Sequence, residues 1–144
     1  MVGRHSRFAL ADTFQQAVGG FLLAGPFVVT QEVWDLAASM AWYQLGVTTL
    51  LVFAIGYAAL YRADADRDPD REAEVAGVPV RFVSLMAVSY LSVFVLALAF
   101  DAPNTFLGAQ FGTDHRELAW VTLKAVSVGS VFSVIGAATA DSLF

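Results

Sequence analysis

Two ionisable side chains stand inside apolar runs of this sequence, and both bear on ion chemistry. Glu32 closes the segment FLLAGPFVVTQEVW, six residues beyond Pro26 and so about 9 Å further along a helix. Pro26 has no N–H, so it takes the partner from the Leu22 carbonyl and predicts a kink. Gly19, Gly20 and Gly25 make the same stretch narrow and pliable. A kinked or broken helix beside a carboxylate is a recurring way to build an ion or substrate site in lipid. The bland alternative is a packing kink, with Glu32 at headgroup level. Gly25, Pro26, Glu32 and Lys124 are therefore the candidate ion-pathway or gating residues.

Lys124 is the only lysine in the chain. It lies about six residues into the last apolar run, again roughly 9 Å from its start. It could pair with Glu32, which would offset part of the desolvation of both charges. It could equally snorkel to water or lie over the ring of Trp120. Around it Ala125, Gly129, Ser133 and Ala137 recur every fourth residue. Such a stripe lets helices approach closely, either within one chain or between copies in an oligomer.

Other chemistries find little support. The chain has no Cys, which removes disulfides, thiolate metal sites and a thiol nucleophile. His5 and His115 fall in a tail and a loop and make no metal centre by themselves. No zinc-protease helix motif, phosphate-cradling loop or serine triad order is present, so the expectation is a protein that is not an enzyme and uses no cofactor or metal. There are 13 acidic residues against 8 basic ones, which argues against nucleic acid as a partner. Acidic, lysine-poor exposed segments suit a salt-rich cell interior, as in extreme halophiles.

The elements that must carry these residues follow from hydropathy. The 144 residues are 58% apolar and 15% charged, with mean hydropathy +0.64. A soluble domain carries about 25% charged residues. Four runs reach the roughly 20 apolar residues that a bilayer core requires: about 14–34, 41–61, 80–100 and 118–140. Residues 1–144 thus read as a single all-α membrane domain, a four-transmembrane-helix bundle with a kinked first helix. Asp12 with Gln15, and Asp114 with Glu117, have capping-box spacing. Trp34, Trp42, Tyr43, Tyr57, Tyr61 and Trp120 lie near span ends, where aromatic rings favour the interface.

Arg4 and Arg7 precede the first span; Arg62, Arg67, Arg71 and Arg81 lie between the second and third; Arg116 alone precedes the fourth. The positive-inside rule then places both termini and the middle loop in the cytoplasm of a multi-pass plasma-membrane protein. A cleaved signal peptide is the rival reading of the first run, although Asp12 and Glu32 interrupt it. The loop at about 62–79 begins RADADRDPDREAEV; it reads as a solvated acidic linker. Its Arg67 and Pro69 do not fit a calcium-binding loop, which needs a mid-loop Gly and a closing Glu.

At FLLAGPFVVTQEVW, and more weakly at ELAWVTLKAVSVGSVFSVIGA, the sequence resembles a family of uncharacterised prokaryotic, often haloarchaeal, integral membrane proteins classed as a domain of unknown function. The resemblance rests on Gly19–Gly20, Pro26 and Thr30 to Trp34, and covers most of the chain outside the acidic loop. It implies the membrane class and no known activity. Two functions remain open: an oligomeric ion channel or transporter using Glu32, or a non-transporting accessory or scaffold subunit that docks through the span-four stripe. The expected partners are the lipid bilayer, a homo-oligomer and an inorganic ion.

Overall fold

The computed structural model describes residues 10–62, 74–75, 78–111 and 114–143. Nearly all of these are helical: α1 (Leu10–Val28), α2 (Gln31–Ser39), α3 (Trp42–Tyr57, continued by a π-helical turn at Ala58–Arg62), α4 (Val80–Ala99), α5 (Ala102–Phe111) and α6 (His115–Leu143). Glu74–Val75 (β1) and Val78–Pro79 (β2) pair antiparallel ahead of α4. Most of the acidic loop expected to be a solvated linker, Arg67 and Pro69 included, and Arg4, His5 and Arg7 lie outside the described residues.

The all-α class holds. Three stretches are long and apolar enough to cross a membrane, at Trp42–Tyr61, Val80–Ala99 and His115–Asp141. The first run departs from expectation. It is not one kinked rod over 14–34 but two helices, α1 and α2, bent by 82°. Pro26 lies inside α1, and the sharp bend comes later, at a break two residues past the helix end. Thr30 makes that break: its Oγ1 (2.8 Å) and its N–H (3.2 Å) both donate to the Phe27 carbonyl. A local side-chain bond of this kind competes with continued helix. Trp34 then fixes the turn, its indole N–H donating to the Val28 carbonyl at 2.8 Å while the ring is fully buried.

The predicted cap at Asp12 with Gln15 is also displaced, because α1 is already helical at Leu10 and Asp12 turns to Arg81 instead. Asp114 does cap α6, its Oδ1 accepting the Glu117 N–H at 3.2 Å. At the start of α3, the Gln44 Oε1 accepts the Ala41 N–H at 2.7 Å.

α6 is the axis of the molecule and packs against each of the other five helices. At 29 residues it is about 43 Å long, more than a bilayer core. Along it the interior divides by side-chain size. Towards the α2–α5 end, Val28, Trp34, Val93, Leu107 and Val121 form one apolar cluster. Towards the end holding the hairpin, Val52, Leu60, Leu85 and Val134 form another. Alongside the second cluster α1 meets α6 at a waist of glycine and serine. A Cβ at Gly19 would overlap the backbone of Gly136, and one at Gly20 would crowd the Ser133 and Ser92 hydroxyls. Only glycine lets α1 and α6 come this close, and such approach is how helices adhere in lipid, where tails offer no hydrophobic drive. α3 is peripheral, with most of its apolar side chains exposed, whereas more than half of the apolar stretch of α6 is buried.

Candidate functional site

The four candidate pathway residues do not converge. Glu32 lies in the first turn of α2 and is exposed. No ion pair of Glu32 occurs among the described residues. Pro26 is exposed on the side of α1, and a Cβ on Gly25 would barely touch Leu96. Lys124 is 5% exposed and donates from Nζ to the Met40 carbonyl at 2.7 Å. Its ammonium also lies 5.9 Å from the Trp120 ring centroid. The pairing with Glu32 is therefore not formed. Met40 follows the last residue of α2, where carbonyls are unsatisfied and partially negative. Lys124 fastens the C-terminal end of α2 to α6.

The span-four stripe faces inward. Ala125, Ser133 and Ala137 are fully buried within the single chain, and a Cβ on Gly129 would overlap Val93. The intramolecular alternative is the one realised, so these residues offer no surface to a partner. Their hydroxyl-bearing neighbours bond mostly to helix backbone: Ser130 to the Val126 carbonyl at 2.7 Å and Ser89 to the Leu85 carbonyl at 2.6 Å. Ser133 Oγ has no hydrogen-bond partner among the described residues.

The densest polar constellation was not anticipated. At the end of the bundle opposite α2 and α5, the Arg81 guanidinium meets Asp141 at 2.6 Å (Nη1 to Oδ1) and Asp12 at 3.5 Å (Nη2 to Oδ2). Gln16, fully buried, donates from Nε2 to Asp141 Oδ2 at 3.3 Å. Its Oε1 accepts the Ser84 hydroxyl at 2.7 Å, and Thr13 lies 3.3 Å from Ser84. The first turns of α1 and α4 and the last turn of α6 thereby share one hydrogen-bonded charge cluster. Arg81 had counted only as a loop charge and Asp141 lay just past the predicted span end. The usable signal was topological: alternating spans bring the start of the third and the end of the fourth to the same side.

At the other end the charges are acidic and open. Among the described residues Glu32, Asp35, Asp101, Asp114 and Glu117 are all exposed there, together with Arg116. Gln31 bridges α2 and α5, donating to Asp35 Oδ1 at 2.8 Å and to the Phe106 carbonyl at 3.3 Å, while Trp34 stacks on Phe106. A lateral groove of about 660 Å³ runs between α4, α5 and α6 below this face.

No family model matches the chain, and no match is found among curated proteins or solved structures. Among the described residues no group of three His, Asp or Glu side chains is placed to hold a metal ion.

Proposed function

We propose that the chain is a four-span membrane protein whose first span is the broken pair α1–α2, and that it passes cations as a channel or transporter. The observation that carries this reading is the 82° break, which sets Glu32 in the first turn of α2 at an end rich in exposed carboxylates. Discontinuous helices beside charged groups are a common architecture for ion handling in membranes, and a face of one sign concentrates counter-ions. The glycine waist closes α1 on α6, so conduction is assigned to a symmetric oligomer with a path between copies. By the arginine distribution, the α2–α5 end faces outward and the termini lie in the cytoplasm of the cell membrane.

Purified protein in liposomes provides the test. Cation flux that falls in Glu32→Gln, with folding intact, supports the assignment; flux unchanged by the substitution removes Glu32 from the mechanism.

The second reading is a non-transporting accessory subunit. It is favoured by α3, whose Trp42, Tyr43, Val47 and Leu50 are all more than half exposed. With the span-four stripe occupied inside the chain, α3 is the face such a subunit would use. Absence of flux together with recovery of a stoichiometric membrane partner, lost in Val47→Arg, would favour it.

A further inference from the structure

The groove between α4, α5 and α6 has walls of one character and a mouth of another. Tyr90, Phe94 and Leu98 of α4 face Leu118, Leu123 and Val126 of α6 along its length. From Tyr90 to Leu98 is eight residues, so the apolar walls extend about 12 Å along α4. Its end beside α5, here called the mouth, is lined by Asp101 and Asn104, with His115 beside them.

Asp101 is unusual in its backbone. It has φ 54° and is the one non-glycine residue with positive φ among those described. It follows the C-cap Phe100, and its N–H donates to the Leu98 carbonyl at 3.1 Å. That position of a helix end is usually filled by Gly, which suffers no Cβ penalty. Here the chain carries a carboxylate instead. One oxygen, Oδ1, is steadied by the Asn104 side-chain amide at 2.8 Å; the other has no partner among the described residues. Arg116, the nearby exposed cation, is not among the lining residues. The surrounding end of the bundle carries Asp114 and Glu117 as well.

We propose that this groove is a binding site for a hydrophobic monocation, an amphiphile with one alkyl chain and an ammonium-type head. The chain lies along the apolar walls of α4 and α6, and the head sits against the Asp101 carboxylate at the mouth. Electrostatic complementarity selects the sign of the head, and the apolar length of the walls supplies the affinity. The site stands apart from Glu32, so it holds whether or not the chain conducts ions.

Electron paramagnetic resonance on the protein in phosphatidylcholine nanodiscs tests the assignment. Three nitroxide-labelled probes are compared: an alkyltrimethylammonium, a phosphatidylcholine and a fatty-acid anion. The cationic probe is expected to show the largest motionally restricted fraction. Asp101→Asn should lower its relative association by about five-fold, the worth of one partly exposed charge pair, without changing that of phosphatidylcholine. Ala119→Trp, which fills the groove from the exposed face of α6, should lower the association of all three. Circular dichroism checks that both variants fold. Equal restriction of cationic and zwitterionic probes would overturn the proposal and leave an ordinary lipid seat. A cation preference that survives in both folded variants would also overturn it, assigning the effect to the acidic face at large.

Discussion

Arg81 and Asp141, 60 residues apart in the chain, meet at 2.6 Å between the first turn of α4 and the last turn of α6. Asp141 is 3% exposed and Arg81 6%, so both charges depend on protein partners for their solvation. Asp12 and Gln16 bring α1 into the same cluster. The three helices that form the closed core are thus tied at one end by charge and at the waist by glycine.

Arg81→Met should destabilise the bundle by about 3 kcal/mol, because it takes the guanidinium away from a buried carboxylate. Arg81→Met combined with Asp141→Leu should cost less than the sum of the two single changes, since no buried charge is then stranded. Reversible unfolding in mixed detergent micelles measures both. Strict additivity would mean that the pair is not coupled.

The glycine waist gives a sharper contrast. A Cβ at Gly19 meets the Gly136 backbone, whereas one at Gly46 on α3 meets nothing within 4 Å. Gly19→Leu should therefore cost roughly 2–3 kcal/mol through overpacking. Gly46→Leu should change stability by less than about 0.5 kcal/mol. Equal effects at the two sites would contradict the close approach of α1 and α6.

Lys124→Met removes a charged donor from the Met40 carbonyl and should cost about 2 kcal/mol. Because Glu32 takes no part in that bond, a double-mutant cycle of Lys124→Met with Glu32→Gln should give a coupling below about 0.5 kcal/mol. A large favourable coupling would restore the ion pair between the two.

Trp34→Phe keeps the ring but deletes the N–H that holds the Val28 carbonyl. Loss of about 1 kcal/mol follows. Proteolysis at the α1–α2 turn should also quicken, because this bond fixes the bend. Wild-type cleavage kinetics would show the bend to be held by other contacts.

Much of this architecture is readable from hydropathy. Runs of apolar residues mark α3, α4 and α6 to within a few residues, since a helix in lipid must satisfy its own backbone and so needs an uninterrupted run. The first run misleads because periodicity does not distinguish a kinked helix from one ended by a threonine. Pro26 is the conspicuous residue there, yet Thr30 makes the break. Glu32 and Lys124 attract attention as charges in apolar sequence; the structure exposes the first at the start of α2 and fastens the second to the end of α2. Arg81 and Asp141 look like ordinary span-end charges, because their meaning depends on a contact across the bundle. Asp101 could not be singled out either. Its value lies in a backbone angle and a neighbouring groove, neither of which sequence spacing encodes.

The central claim is that these helices cross a bilayer with α2 and α5 on one side and the hairpin before α4 on the other. The chain has no Cys, so single cysteines can report on this directly. Glu32→Cys and Asn104→Cys in sealed vesicles should react with a membrane-impermeant maleimide from the same face. Val78→Cys should react only from the opposite face, and Leu50→Cys, on the exposed apolar side of α3, from neither. Labelling of Val78→Cys and Asn104→Cys from one common face, or ready labelling of Leu50→Cys, would contradict the account.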